Sequence, residues 1–248
     1  MTGPAPIRKE RNDRLDVTRP RALPGRQMLT ASVYEAIKEQ IMDLELAPGT
    51  RVNMDQLARD LEVSTTPVRE SLARLESEGL VTRRSLQGYT VTAQPDWSDL
   101  HELFTLRRLL EPEAAREAAR EPGDDLVSSL RSTLDDMAEP SSAVPEEQYR
   151  RHRTFVEADS VFHDAIAAAS GNRLLRRTLA GMHSHVLLYR LYFEAGVSPE
   201  RSATAEEHRA ILAAIVDRQP EVAATAMRDH VERSHERVLG RTSALRPT

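Results

Sequence analysis

The sequence predicts a mainly α protein in two parts, an N-terminal winged helix-turn-helix and a C-terminal all-helical bundle. Three observations carry this. Three short helical patterns and then a two-stranded β pattern occupy residues 29–93. From Trp97 to Leu239 apolar residues recur at helical spacing, broken only by Pro and Gly punctuation, with no β signal. The composition is that of a folded chain: 248 residues, 40% hydrophobic, 29% charged and without cysteine. Zero cysteines exclude disulfides, thiolate metal sites and cysteine nucleophiles. The longest unbroken apolar run, Ala210–Val216, is seven residues, far below the ~18 that a membrane span needs. No apolar stretch follows the N-terminal charges as it would in a secretory signal. A cytoplasmic protein with no membrane partner is expected.

Residues 1–28 hold Pro4, Pro6, Pro20 and Pro24 with scattered charge and no apolar period, which reads as a disordered basic tail. A first helix follows from Thr30, with Val33, Ile37 and Ile41 on one face, and Pro48-Gly49 turns the chain. A second short helix over 55–61 presents Leu57, Ala58 and Leu61. The third is expected to be capped by Thr66, with Pro67 at its first position. Val68, Leu72 and Leu75 form its buried stripe, leaving Arg69, Ala73 and Glu76 outward. A hairpin is expected from 80–83 and 89–92, with its turn at Ser85-Leu86-Gln87-Gly88. Beyond it, breaks near 121–123, 139–145, 170–172, 196–202 and 219–220 divide residues 97–240 into about six helices, Pro112 starting or kinking one of them.

The net charge of −5 hides an uneven layout: residues 1–29 carry seven Lys/Arg against three acids, residues 30–92 seven against ten. DNA binding through bulk charge would need a more basic domain, so it must rest on a few placed arginines. The segment Val63-Ser64-Thr65-Thr66-Pro67-Val68-Arg69-Glu70-Ser71-Leu72, with Leu46-Ala47-Pro48-Gly49 before it and Gly79-Leu80-Val81 and Gly88-Tyr89 after it, resembles the winged helix of GntR-type transcriptional regulators. Arg107-Arg108-Leu109-Leu110-Glu111-Pro112 and Asp159-Ser160-Val161-Phe162-His163 are similar to the FCD ligand domain of the FadR-type subgroup. The resemblance covers residues 30 to about 239. It departs at Thr65, where the family often has arginine, and at Leu44 and Glu62, where glycine is usual. A left-handed backbone kept at either of those last two costs about 1 kcal/mol.

The helix N-terminus that enters a major groove presents free N–H groups and short hydroxyls to phosphates, here Ser64, Thr65 and Thr66. Arg69, one turn in, reaches a guanine edge, and Gln87 and Gly88 at the wing tip approach the minor groove.

All eight histidines lie beyond residue 100. Asp159 and His163 share a helix face at i, i+4, while His208 and His230 sit on separate predicted helices. One carboxylate and three imidazoles in a helical bundle suit a divalent transition metal, zinc before nickel or manganese. The metal-binding members of the resembled family carry an aspartate and three histidines at these motif positions. His183 and His185 are i, i+2, so only one of them lines the pocket, and His185 is the candidate named. His101, His152 and His235 are expected at the surface. Arg107 precedes Glu111 by four residues, by default a plain ion pair; the resemblance implies that it instead holds a ligand carboxylate.

The function expected is a transcriptional regulator, a repressor binding a palindromic double-stranded operator as a homodimer and controlled by a small carboxylate effector. A metal-responsive sensor is the alternative. A metal-dependent enzyme is the more distant rival, but no H-E-x-x-H general base and no nucleophile motif is found, so no enzymatic activity is expected. Coupling between the two parts is expected through residues 93–100 and the first helix of the second domain.

Overall fold

The computed structural model describes residues 24–84, 88–138, 145–193 and 201–241. Its elements are α1 (Pro24–Met42), β1 (Arg51–Val52), α2 (Met54–Asp60), α3 (Thr65–Ser77), β2 (Val81–Arg84), β3 (Gly88–Val91) and then six helices, α4 (Trp97–Arg120), α5 (Asp124–Met137), α6 (Pro145–Ala169), α7 (Arg173–Phe193), α8 (Arg201–Val216) and α9 (Pro220–Arg241). Helix α1 begins at Pro24, six residues before the apolar period does, so the segment read as tail ends in helix. A proline suits a first helical turn, whose N–H groups have no partner inside the helix. The rest of the expected tail, residues 1–23, lies outside the described residues.

The first domain buries Val33, Ile37 and Ile41 of α1 against Val68, Leu72 and Leu75 of α3. Asn53 caps α2, its Oδ1 accepting from the N–H groups of Asp55 and Gln56 at 3.1 Å. The cap of α3 is Ser64, not Thr66: Ser64 is extended (φ −74°, ψ 163°), and helix begins at Thr65. Pro67 therefore stands at the third helical position. The first N–H groups of a helix lack intrahelical partners, so proline fits anywhere in that turn and does not mark its first residue. The ribbon has three strands where two were expected, in the order β1-β3-β2, because Arg51 and Val52 pair with Thr90 and Tyr89. Two residues are too short a run for alternation to reveal.

Leu44 (φ 61°) and Glu62 (φ 54°) keep the left-handed backbone that glycine would adopt without strain. Replacing the exposed Glu62 by glycine is expected to raise stability by about 0.5–1 kcal/mol after the added unfolded-state entropy, visible as a melting point about 2–4 °C higher. An unchanged or lower melting point would mean that the left-handed backbone carries no strain.

In the second domain α4 packs along α9, α8 along α9, and α6 between α5 and α7. Asp96 and Asp99 form a reciprocal capping box at the start of α4, with bonds of 2.8 and 3.0 Å. The helix continues through buried Pro112 and does not start there. Leu100, Phe104, Leu130, Phe162, Ile166, Ile211 and Val231 fill the core. No described helix is long and apolar enough to cross a membrane. His152 and His235, expected at the surface, are buried. His235 stacks on Phe104 at 4.8 Å, and His152 Nε2 donates to the Arg190 carbonyl at 3.1 Å. A bundle helix with neighbours on several sides buries more than the narrow stripe that periodicity reveals. His101 is exposed as expected.

Candidate metal centre and DNA-facing surface

Asp159 and His163 of α6, His208 of α8 and His230 of α9 are all buried and bring one potential ligand atom each to within 4.8 Å of one another. His230 Nε2 lies 3.2 Å from His163 Nε2 and 3.3 Å from His208 Nε2, and His208 Nε2 lies 3.7 Å from Asp159 Oδ1. Bonds of about 2.0–2.1 Å to one ion place two nitrogens about 2.9 Å apart at a right angle and about 3.4 Å apart at a tetrahedral one. The two N···N spacings fall inside that interval, and the Asp159 oxygen lies just outside it at 3.7 Å from His208 Nε2.

The hydrogen bonds around the cluster also leave a donor atom available to a cation. His230 Nδ1 donates to Glu207 Oε2 at 2.8 Å, which leaves its Nε2 as a lone pair. His163 Nδ1 lies 2.6 Å from Glu111 Oε2. Burial pushes His208 and His230 below the ordinary imidazole range, and the rings are neutral. The Nε2 lone pair of His230 thus faces the ring nitrogens of His163 and His208 at 3.2 and 3.3 Å. The donor set fits a divalent transition metal.

Around these four residues stands a second layer that the sequence reading missed. Arg237 grips Glu207 with two bonds of 2.9 Å, fixing the carboxylate that orients His230. Glu111 meets Arg107 Nε at 2.5 Å and His183 Nε2 at 3.0 Å besides His163. Burial alone would raise the Glu111 carboxyl, but Arg107 and the two imidazoles hold it well below the usual carboxylate range. Asp159 is likewise lowered against its burial, by Arg190 at 2.9 Å and by the surrounding histidines. Glu207 carried a signal in being next to His208, and Glu111 in standing four residues after Arg107. Arg190 carried none.

Beside this cluster a cavity of about 10 Å³ is lined by Arg107, Asp159, Ser160, His183, Leu187 and Arg190, among others. Arg107 is therefore both the ion-pair partner of Glu111 and part of the cavity wall; the sequence posed these as alternatives. His183 faces the cavity, whereas His185, the candidate named, lies half-buried outside it. The i, i+2 spacing permits only one of the two, and the packing of α7 selected the other one.

On the first domain, Ser64, Thr65, Thr66 and Arg69 are exposed at the start of α3. Gly88 opens β3 with φ 81°, and Gln87 lies outside the described residues. Arg83 and Arg84 are exposed on β2 beside the wing. The far end of α3 seats on α7. Gly79, with φ 79°, approaches so closely that a Cβ on it would lie 3.0 Å from Gly181 Cα. The Ser184 hydroxyl donates to the Glu78 carbonyl, and Arg153 pairs with Asp43 at 2.6 Å. The two domains thus meet through α7 and, at Arg153, through α6, besides the chain connection at residues 93–100.

Residues 29–91 match the bacterial regulatory proteins of the gntR family, and residues 102–233 match the FCD domain. The chain is 30% identical over 200 residues to an uncharacterized HTH-type transcriptional regulator in an unstable DNA locus of Streptomyces ambofaciens, covering 80% of each protein. It is 28% identical over 193 residues to the Nta operon transcriptional regulator of Aminobacter aminovorans, covering 77% of this chain and 86% of that one. The solved structure of McbR/YncC from E. coli superposes with a TM-score of 0.65 at 22% identity, covering 87% of this chain and 99% of that one, a likeness of fold. With both domains matched in order and across most of its length, the chain belongs to the GntR family of DNA-binding transcriptional regulators, its C-terminal half an FCD domain.

Proposed function

We propose that this regulator is a cytoplasmic repressor that binds a palindromic operator as a homodimer and is controlled by a small organic acid. One divalent transition ion, zinc before nickel or manganese, is held by Asp159, His163, His208 and His230. When bound, the ion supplies an open coordination position for a ligand oxygen. The acid's carboxylate lies against Arg107 in the adjoining cavity, with Arg190 and His183 also in the wall. The observation that carries this reading is the shared wall: α7 lines the cavity with His183, Leu187 and Arg190 and seats the end of α3 through Gly181 and Ser184. At about 10 Å³ the cavity holds roughly one water, so a carboxylic acid enters only if the wall yields. Moving α7 moves the DNA-reading domain with it.

On DNA, the hydroxyls of Ser64, Thr65 and Thr66 meet phosphates with the free N–H groups of α3, and Arg69 reads a base edge. Arg69 has no ion-pair partner among the described residues, and its side chain is free to do so. Arg69→Ala is expected to weaken binding to a preferred site by about 1–3 kcal/mol while affecting unrelated DNA less, as read by fluorescence anisotropy against sites selected from a random pool. Equal weakening on all sequences would reassign Arg69 to phosphate contact.

The controlling ligand is tested by titrating zinc-loaded protein, bound to such a site, with acetate, lactate and citrate. At least one acid should change the DNA affinity about tenfold, and Arg107→Lys, which keeps the charge but loses the fork, should blunt the response. If none shifts the DNA affinity or the melting temperature, the acid is not the signal. The small volume of the cavity favours a second reading in that case, with the ion itself as the signal. Chelation alone would then change the DNA affinity.

A further inference from the structure

The DNA-reading domain is short of cations. Residues 30–92 carry seven Lys/Arg against ten acids. One of the seven, Arg74, is paired with Glu78 at 3.2 Å. A domain of net negative charge approaches the phosphates of DNA against its own field. The cations missing from it stand just before it in the chain. Arg8, Lys9, Arg11, Arg14, Arg19 and Arg21 are offset only by Glu10, Asp13 and Asp16.

The packing of α1 decides where that segment leaves the domain. Thr30 Oγ1 donates to Glu70 Oε2 at 3.0 Å, and the Ser71 hydroxyl donates to the Thr30 carbonyl at 3.1 Å. One turn on, the Tyr34 hydroxyl donates to Glu78 at 2.6 Å, and the Arg74 guanidinium lies over the Tyr34 ring at 3.6 Å. Later residues of α1 thus meet later residues of α3, and the two helices run in the same sense. Six residues of α1 precede Thr30, about 9 Å of axis, and five residues of α3 precede Glu70, about 7.5 Å. Their N-terminal ends therefore lie level on one side of the domain, the side on which Ser64, Thr65, Thr66 and Arg69 are exposed. The chain before Pro24 leaves from there. Five residues of chain span at most about 17 Å and sixteen at most about 55 Å. Arg19 is then within reach of the phosphates beside the groove that α3 enters, and Arg8 within reach of the next turn of the duplex, about 34 Å away.

We infer that residues 8–21 form a DNA-binding arm, whose six cations run along the phosphates flanking the groove that α3 enters and supply the counter-charge that the folded domain lacks. The arm adds affinity without reading sequence, because phosphates are alike at every base pair. The inference rests on the reading above that α3 presents Ser64, Thr65, Thr66 and Arg69 to DNA, and it extends that surface beyond the folded domain.

The test compares the full-length protein with R8Q/K9Q/R11Q/R14Q/R19Q/R21Q and with R8K/R11K/R14K/R19K/R21K. Fluorescence anisotropy reads binding to a site selected from a random pool and to an unrelated duplex, between about 50 and 300 mM salt. The glutamine variant should bind both DNAs at least about tenfold more weakly at ~100 mM salt, with a plot of log affinity against log salt shallower by at least about 2. The lysine variant keeps the charge and should follow the wild type. An unchanged affinity or salt slope in the glutamine variant would overturn the arm, and so would a loss confined to the selected site. Arg69→Ala, measured beside them, keeps the two readings apart: it should lose preference for the selected site while its salt slope stays within about 1 of the wild type's. An R69A protein indistinguishable from the wild type on both DNAs, beside a weakened glutamine variant, would overturn the placing of α3 and not the arm. A wild type that binds neither DNA would overturn both.

Discussion

Replacing Glu111 by alanine is expected to destabilise the metal-free protein by about 3–5 kcal/mol, lowering its melting point by roughly 10 °C or more. Glu111 and Arg107 are each 2% exposed at the side chain and pair at 2.5 Å. Taking away the carboxylate strands a guanidinium that cannot shed its proton in the interior. It also removes the group facing His163 Nδ1 and His183 Nε2, two further buried polar atoms. Glu111→Gln keeps the shape but not the charge and should fall between the two. Urea unfolding in the presence of a chelator measures this without the contribution of an ion. A loss below about 1 kcal/mol would mean that Arg107 finds another partner or solvent, and the hub role of Glu111 would be abandoned.

The second large effect concerns the ion. About one equivalent of zinc per chain should survive dialysis of the wild type, and Asp159→Ala, His163→Ala and His208→Ala should each lose it. If zinc is supplied at a thousandfold excess over its dissociation constant, the wild type gains about 4 kcal/mol that the variants do not. His208→Ala is the most direct of the three. The ring stacks on Phe162 at 4.1 Å, and its Nδ1 has no hydrogen-bond partner among the described residues. Asp159→Ala also strips Arg190 of a carboxylate, and His163→Ala deprives Glu111 of one of its neighbours. Elemental analysis of metal content gives the stoichiometry and thermal unfolding with and without zinc the stabilisation. Full metal retention in all three variants would place the ion elsewhere.

The outline of both domains was legible because local rules govern it. Pro48-Gly49, the apolar stripe of Val68, Leu72 and Leu75, and the breaks at 121–123 and 219–220 each express a backbone preference within a few residues of themselves. Errors came where such a preference is degenerate. Pro67 is tolerated throughout a first helical turn, so it could not tell Ser64 from Thr66 as the cap. A two-residue strand such as β1 exists only because β3 lies beside it.

The site divides in the same way. Asp159 and His163 share a helix face by virtue of a four-residue spacing, and resemblance supplied His208 and His230. The four-residue spacing offered the Arg107–Glu111 pair, but the order of residues did not show that His163 and His183 would join it, or that Glu207, held by Arg237, would orient His230. The choice of His183 over His185 was equally hidden, since a two-residue spacing says that they diverge but not which one turns inward.

By itself, then, the sequence determined the two-domain helical plan, the α3 surface expected to face DNA and the residue types available for a metal. Only the tertiary structure decided which histidines converge, which carboxylates orient them, and that α7 joins the cavity to the DNA-reading domain. The reason is physical: helix periods and turns are set by neighbours in the chain, whereas ligand sets, buried ion pairs and the close meeting of Gly79 with Gly181 are set by helix packing across gaps of tens to a hundred residues.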